Sequence, residues 1–383
     1  MNDVSIVITG DFCVNELFER EFINDDSFQF FGETLNFYKK KDFVITNLEY
    51  PLTNCNAKID KTGPTLKGNP LIINRLKSAG FNLATLANNH ILDYGEQGLA
   101  DTLKICQKNN INFVGAGLNL KEAQQPFYFE KEGLRIAILN FAENEWSIAS
   151  QSTAGANPLN VIDNVHVIRE VKDKVDVVIV IIHGGHEYYH LPSPRIVKQY
   201  RFYAENGASV IVGHHPHCIS GYEMYNNVPI FYSLGNFLFT MKSKYEAWYT
   251  GLILQLSIGN KNKIKWELIP IRQNKESYNL TLLKNDDKRA VLNDVDKYSQ
   301  IISNEQALTE HWNRFLIEKQ KEYITVFSPL NAFENKYIKA GIRRMGLERF
   351  LLKKKQYKQI LNLIRCEAHL DASIGIVNNY FKK

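Results

Sequence analysis

The sequence predicts an α/β protein built around a β-sheet. Short apolar runs, which are typical of buried strands, alternate with segments of helical spacing up to about residue 271. With 383 residues and a hydrophobic content of 44%, the chain is long enough to bury a large core. The predicted strands comprise residues 4–9, 43–48, 83–87, 136–141, 175–182, 209–212, 230–234, 251–257 and 263–270.

Helix-like segments lie between the earlier strand runs, at residues 70–78, 97–108, 161–172 and 194–205. The pattern then changes, because residues 274–294 are polar and rich in turn formers. From residue 304 onward the apolar residues return at helical spacing. We therefore predict a domain over residues 1–275, a linker over 276–303 and a basic helical C-terminal region over 304–383.

The positive charge of the chain is concentrated towards its C-terminus. The net charge is +5, and residues 301–383 carry 15 Lys and Arg against 8 Asp and Glu. Three interpretations compete for this region: an ordinary solvated helical face, a docking face for an anionic polymer or membrane surface, and a nucleic-acid site. No DNA or RNA motif supports the third, so we expect no nucleic-acid partner.

The N-terminus passes almost directly into the first strand run, without the basic and apolar regions of a signal peptide. No apolar stretch has the length of a membrane span. The expectation is therefore a cytoplasmic protein. The five cysteines are irregularly spaced, which favours reduced thiols over a disulfide framework or a zinc ribbon.

Three histidines follow one of the predicted strands at close spacing. The segment Gly213-His214-His215-Pro216-His217 comes directly after an apolar run, at the end of a strand where α/β proteins place their sites. Such a loop can offer two or three neutral ring nitrogens to a metal ion. Solvated loop histidines are the alternative interpretation, but three imidazoles so close together favour a metal site.

Other predicted strands also end in oxygen or nitrogen donors, namely Asp11, Glu49, Asn89, His90 and His183. Taken singly, each has a structural explanation as a turn residue, a helix cap, a loop acid or a satisfied core histidine. Their coincidence at the strand ends of one domain favours a shared site. Carboxylate, amide and imidazole donors without cysteine predict a hydrolytic centre for one or two divalent ions, with Mn, Fe or Zn as the candidates.

Six motifs follow one another along the chain: Gly10-Asp11; Asn47-Leu48-Glu49; Ala87-Asn88-Asn89-His90 with Asp93-Tyr94-Gly95; His183-x-Gly185-x-Glu187-Tyr188; Gly213-His214-His215-Pro216-His217; and Tyr232-Ser233-Leu234-Gly235-Asn236-Phe237. In order and spacing they resemble the CapA family, which is named for poly-γ-glutamate capsule synthesis and is similar to calcineurin-like metallophosphoesterases. The resemblance covers about residues 4–272. It implies a four-layer α/β/β/α sandwich of metallophosphoesterase type. The helical spacing from residue 304 onward, which the resemblance does not cover, adds a C-terminal helical extension to this prediction.

The resemblance also implies a role for each motif residue. Asp11 would be a terminal metal ligand, and Glu49 would stand where metallophosphoesterases have a bridging carboxylate. Asn89 would bind metal through its amide oxygen, and His90 beside it would act near the leaving group. His183 would be the next ligand.

His215 and His217 match the last histidine pair of the metallophosphoesterase pattern and would complete the metal ligands, which leaves His214 as the spare histidine. Two positions differ from that pattern. Cys13 stands where the first motif has a histidine, and Gly184 stands where the fourth motif has a tryptophan. A centre with one ion and a centre with two ions therefore both remain open.

Two further motif residues are candidates for catalysis. His90 or His186 can pass a proton to the leaving group, an effect typically worth about 10² to 10⁴ in rate. Glu187 can orient His183 as a carboxylate partner of a metal-bound imidazole. His186 can also serve only to line the pocket.

Two functions from different classes fit these motifs. The first is a metal-dependent hydrolase acting on a phosphate ester or an anionic polymer, linked to capsule or poly-γ-glutamate biosynthesis. The second is a non-catalytic assembly protein that binds an anionic polymer on the same fold, and peripheral contact with a membrane or with capsule machinery is a further expectation. Predicted loops near the site contain cations suited to an acidic ligand, unless they are simply solvated: Lys58, Lys61, Lys67 and Arg195.

Overall fold

The computed structural model describes residues 3–27, 29–61, 63–259, 263–326, 335–347, 358–361 and 364. The chain divides into two compact units, Met1–Thr309 and Glu310–Lys383. Its strands and helices are numbered in chain order. Within the described residues, no helix combines the length and the apolar character needed to cross a membrane.

The first sheet is mixed, with strand order β16-β15-β14-β1-β2-β3-β4 and β13 paired to the end of β1. The central strand β1 runs parallel to β2 and β13 and antiparallel to β14. The strands of this sheet are β1 (Val4–Cys13), β2 (Phe43–Leu48), β3 (Leu83–Thr85), β4 (Asn112–Val114), β13 (Asn236–Phe239), β14 (Thr250–Ile258), β15 (Ile264–Gln273) and β16 (Leu280–Leu282).

The second sheet has the order β11-β12-β10-β9-β7-β6, and its four central strands are parallel. All seven residues of β9 are buried, which explains its unbroken apolar run. The strands are β6 (Phe127–Lys131), β7 (Leu134–Ala142), β9 (Val177–His183), β10 (Val210–His214), β11 (Tyr222–Tyr225) and β12 (Val228–Phe231). Two short strands, β5 (Ala116–Gly117) and β8 (Gly155–Ala156), pair separately.

The two sheets pack face to face over a shared core that includes Ile8 and Ile45 from the first sheet and Ile179 and Val212 from the second. Helices α3 and α4 cover the other face of the first sheet, and α6 and α7 cover the other face of the second. The helices are α1 (Glu19–Ile23), α2 (Thr34–Tyr38), α3 (Ile72–Ala79), α4 (Gly95–Lys108), α5 (Leu120–Ala123), α6 (Val161–Lys172), α7 (Pro194–Glu205), α8 (Asn285–Ile302), α9 (Glu305–Val326) and α10 (Lys336–Arg344).

Local sequence accounts for several helix boundaries. The Asn160 side chain accepts hydrogen bonds from the backbone N–H groups of Ile162 and Asp163 at the start of α6. Ser193 caps α7 in the same way, with Pro194 at the first helical position. Gly80 ends α3 in the left-handed conformation at φ 102°. These elements and the nine predicted strands confirm the α/β class.

The prediction of a linker over residues 276–303 is wrong. This segment contains β16 and α8, and Val291 and Val295 of α8 are buried in the core between the sheets. The helix also approaches β11 closely, because the Tyr222 N–H donates to Ser299 Oγ at 2.9 Å and a Cβ on Gly221 would clash with the Ser299 backbone. The prediction failed because α8 buries few of its residues, so its polar face resembles a loop in sequence.

Candidate metal centre

Six of the predicted site residues converge at the strand ends, and we call them the donor cluster: Asp11, Glu49, Asn89, His183, His215 and His217. All six are buried. The parallel pairing β1–β2 brings Asp11 and Glu49 to one edge of the first sheet, and the parallel pairing β9–β10 places the end of β10 beside His183 in the second sheet. Two groups within the cluster have ligand atoms within 4.8 Å of one another, namely Asp11, Glu49 and His183, and Glu49, His215 and His217.

Glu49 belongs to both groups and lies at the centre of the cluster. Its backbone N–H donates to the Phe12 carbonyl at 3.1 Å, which fixes the residue beside β1. Its Oε1 lies 3.6 Å from His183 Nε2 and 3.5 Å from His217 Nε2. Neither carboxylate oxygen has a hydrogen-bond partner among the described residues. Burial, followed by the nearby charge of Asp11, raises the pKa of Glu49 well above its ordinary value.

The pKa of Asp11 is shifted in the opposite direction to that of Glu49. Burial alone would raise its pKa, but contacts with His214, His217 and His183 outweigh burial and hold the pKa below its ordinary value. Its Oδ1 accepts a hydrogen bond from Asn47 Nδ2 at 2.8 Å, and its Oδ2 accepts one from the His215 N–H at 3.2 Å. Asp11 is therefore an ionised carboxylate at neutral pH, held in place by Asn47 of β2 and by the backbone of the loop after β10.

The imidazoles of His183 and His215 are neutral at neutral pH. Burial and the neighbouring imidazoles hold the pKa of His183 well below its usual range and lower that of His215 to about 3. His183 Nε2 lies 3.0 Å from His215 Nδ1 and 3.1 Å from Asn89 Oδ1. These contacts lie at hydrogen-bond distance, and the neutral ring nitrogens and the amide oxygen are also of the kinds that bind a divalent cation.

The three histidines at the end of β10 and in the loop after it make different contacts. His217 Nδ1 lies 2.9 Å from Asn236 Oδ1, which orients the ring with Nε2 towards Glu49. His215 and His217 both adopt left-handed backbone, at φ 97° and 53°, a strained conformation for a histidine. His214 is fully buried, with Nδ1 3.3 Å from Asp11 Oδ1, and lies outside both groups. His214 therefore contacts Asp11 without belonging to either group.

His90 lies next to the donor cluster and is held by Asp93. His90 Nδ1 is 2.6 Å from Asp93 Oδ2, a geometry in which the protonated Nδ1 donates to the carboxylate. Burial lowers the pKa of His90 despite that contact. Lys61 forms a buried ion pair with Asp93, and its Nζ lies 3.2 Å from His90 Nδ1. Lys61 is thus bound internally, which corrects the expectation that it faces an acidic ligand.

His186 and Glu187 lie outside both groups of the cluster. Glu187 is exposed, whereas His183 Nδ1 lies 3.2 Å from the Asn47 amide, so Asn47 takes the orienting position expected for Glu187. His186 is half-buried and lines a small cavity with Gly185 and Pro216. Its role as a proton donor stays a prediction.

Three residues near the cluster were not among the predicted site residues. Asn47 and Asn236 stand inside the quoted motifs, so their positions next to ligands were a usable signal. Glu145 has no such signal, although its Oε1 lies 3.9 Å from His215 Nε2 and it accepts a hydrogen bond from Asn89. Cys13, which stands in place of a histidine, is buried, and burial raises the pKa of its thiol far above the usual range. A neutral thiol is a poor metal ligand.

Comparison with known proteins identifies relatives of this chain. The PGA biosynthesis protein CapA of Bacillus subtilis (strain 168) is 37% identical over 206 residues, covering 53% of this chain and 54% of the relative. The capsule biosynthesis protein CapA of Bacillus anthracis is 35% identical over 213 residues, covering 53% and 52%. The chain thus spans about half the length of these curated relatives.

Among solved structures, a hypothetical protein from Thermus thermophilus aligns with TM-score 0.43 and 13% identity, over 70% of this chain and 99% of that one. A 5'-nucleotidase from Candida albicans aligns with TM-score 0.40 and 12% identity, over 79% and 59%. The family described as "Bacterial capsule synthesis protein PGA_cap" matches residues 5–241. The chain therefore belongs to the PGA_cap family of bacterial capsule synthesis proteins.

Proposed function

We propose that this chain is a metal-dependent hydrolase of CapA type, with a four-layer sandwich of metallophosphoesterase type. Its substrate is a phosphate ester or an anionic polymer, and its role lies in capsule or poly-γ-glutamate biosynthesis. Family membership and the names of the Bacillus relatives support the biosynthetic context. The order of helices, sheet, sheet and helices supports the fold type.

The observation that carries the metal proposal is the Glu49 carboxylate. A buried carboxylate with no hydrogen-bond partner is strongly disfavoured in its charged form unless a cation neutralises it. The side chains around Glu49 are the imidazoles of His183, His215 and His217 and the carboxylate of Asp11, so the donor set fits a divalent cation. The six residues of the donor cluster would hold one or two ions of Mn, Fe or Zn. When bound, such ions acidify a water molecule and polarise a phosphoryl oxygen.

The remaining chemistry belongs to His90 and its partners. With Nδ1–H donated to Asp93, the neutral ring keeps its Nε2 lone pair for proton exchange with a substrate or leaving group. The buried ion pair with Lys61 holds the Asp93 carboxylate in position. Asp93 thereby fixes the orientation of the His90 ring.

The metal proposal is tested by elemental analysis of the purified protein and calorimetric titration with Mn and Zn. At least one site is expected in the wild type, and it should be lost in the double variant His215→Ala, His217→Ala. A screen with phosphomonoesters, phosphodiesters and oligo-γ-glutamate then tests turnover. A wild-type protein that binds neither metal under these conditions would rule the proposal out.

The alternative is a protein that binds an anionic polymer without turning it over. Cys13 favours it, because this neutral thiol stands where the phosphoesterase pattern has a histidine ligand and so reduces the donor set. Under this alternative the wild type binds oligo-γ-glutamate in a metal-dependent way but releases no product. Product formation that disappears in His90→Ala would exclude it.

A further inference from the structure

Four aromatic rings form a continuous wall that leads from the donor cluster to the protein surface. The Trp248 ring centroid lies 4.8 Å from that of His217 and 6.0 Å from that of Tyr188. Tyr188 in turn stacks on Tyr245, with centroids 4.4 Å apart and planes 22° from parallel. His217 and Trp248 are buried, whereas Tyr188 is 36% and Tyr245 41% exposed. The wall is therefore buried at the cluster and exposed at its outer end.

The position of Tyr188 is fixed by the loop that carries the histidine ligands. The Tyr188 N–H donates to the Pro216 carbonyl at 2.8 Å, between His215 and His217. Tyr188 also adopts left-handed backbone at φ 62°, which is unfavourable for a bulky aromatic residue. Strained residues of this kind persist where the surrounding structure holds them, and they cluster at ligand sites. The backbone of Tyr188 is thus anchored to the loop that carries the histidine ligands.

We propose that Tyr188 and Tyr245 form a subsite that stacks against a ring of a phosphorylated substrate, either the flat face of a nucleobase or the C–H face of a sugar ring. This inference rests on the proposed function, because it takes the phosphate of the substrate to lie at the donor cluster. Exposed aromatic rings beside a polar site provide a large contact area for a ring and little specificity for a flexible chain. Poly-γ-glutamate has no ring, so a substrate of that kind would not stack on Tyr188 and Tyr245.

Charge next to the subsite agrees with a phosphorylated ring compound. The ammonium group of the exposed Lys244 lies 5.2 Å from the Tyr245 ring centroid. A cation at this position attracts a ligand that carries negative charge, and a flexible lysine can move aside for the ligand ring. The subsite therefore combines a stacking surface with a positive charge.

The test compares ligands that carry the same kind of phosphonate group, which resists hydrolysis, with and without a ring. The probes are methylphosphonate, the phosphonate analogue of adenosine monophosphate and the phosphonate analogue of glucose 1-phosphate. Their dissociation constants are measured by calorimetry with the Mn-treated full chain. We expect at least one ring compound to bind about tenfold or more tightly than methylphosphonate, as stacking of one base contributes. The analogue with the lower dissociation constant identifies the ring as a base or a sugar.

Two variants and one control locate the effect. Tyr188→Asn removes the ring with a residue that tolerates left-handed backbone, and Tyr245→Ala removes the other ring. We call the ratio of the dissociation constant of methylphosphonate to that of the ring compound the ring advantage. In both variants this ratio should fall to about 1. The control is Tyr128→Ala, which removes an equally exposed tyrosine from β6 and should keep the advantage.

The subsite and the proposed function fail in different ways. No ring advantage in the wild type, or an advantage that survives in both variants, overturns the subsite even if metal binding and turnover are intact. Absence of metal and turnover overturns the proposed function. Even without metal and turnover, the subsite is supported if the wild type and Tyr128→Ala show the ring advantage and Tyr188→Asn and Tyr245→Ala do not.

Discussion

The carboxylate of Glu49 is buried among imidazoles with no hydrogen-bond partner among the described residues, so its charged form is poorly solvated. Because its folded pKa lies well above the ordinary value of 4.5, Glu49 binds a proton in the folded chain where the unfolded chain has released it. The metal-free protein therefore loses stability as pH rises above about 4.5. A bound cation removes this loss.

This argument gives a prediction for Glu49→Gln. In the presence of a chelator, we expect the variant to gain free energy of unfolding relative to the wild type by up to about 1.4 kcal/mol per pH unit between pH 5 and 7. Urea denaturation at several pH values measures the difference. Added Mn should stabilise the wild type and leave the variant unchanged. Parallel pH profiles for the two metal-free proteins would contradict the role given to Glu49.

Removal of His90 should affect turnover, whereas removal of residues of the donor cluster should affect metal binding. We expect His90→Ala to keep most of the bound metal but to lose roughly two to four orders of magnitude in turnover, because the ring exchanges protons. Metal content and kcat are measured on the same preparation. His166→Ala is the matched control, since His166 is an exposed histidine of α6. Turnover equal to wild type in His90→Ala would remove His90 from the mechanism.

At the scale of elements, α8 is the clearest departure from expectation, because a presumed linker carries core residues. Ile302 at its C-terminal end is 1% exposed and packs with Leu308 in the core that α6 and α7 cover. We expect Ile302→Ala to lower the free energy of unfolding by about 2–5 kcal/mol. The control Ile162→Ala, at a residue of α6 that is 70% exposed, should change it by less than about 0.5 kcal/mol. Equal effects in denaturant titrations would mean that α8 is not part of the core.

The strand ends were predictable from sequence because the carboxyl ends of parallel strands meet at one edge of a sheet. That rule places Asp11 beside Glu49 in the first sheet and His183 beside the histidine loop in the second. It says nothing about contacts made by loops, so the ion pair of Lys61 with Asp93 and the stacking of Tyr188 on Tyr245 were not predictable. Each of these pairs joins residues from separate loops, and neither residue type nor spacing encodes such a contact.

At the scale of the whole molecule, the first compact unit ends at Thr309, and truncated chains test this boundary. Ile302 and Leu308 are both buried within Met1–Thr309. A chain that ends at residue 309 should therefore unfold cooperatively and bind Mn, whereas one that ends at residue 300 should be less stable by at least the effect of Ile302→Ala. Circular dichroism melts and metal titration measure both. Equal stability of the two fragments would refute this boundary.

The basic region from residue 304 onward keeps two interpretations, a solvated helical face and a docking face for an anionic polymer or membrane surface, and much of it lies outside the described residues. Within the described part, α10 carries Lys336 and Lys339, and its Tyr337 is 75% exposed. Binding of an anionic polymer or membrane by this region should weaken with added salt, because exposed charges are screened beyond about 8 Å at physiological ionic strength, whereas a solvated face predicts no such binding. The role of this region stays a prediction.

The donor cluster is spread from Asp11 on the first strand to His217 after the tenth. Its strands pair mainly with partners distant in sequence, and β1 is itself covered on one side by β14. Non-local parallel pairing forms slowly, because each contact closes a long loop. A chain still emerging from the ribosome therefore has no complete cluster until β10 and its loop have been synthesised. Capture of a cation by all six donors would then mark the end of folding rather than nucleate it.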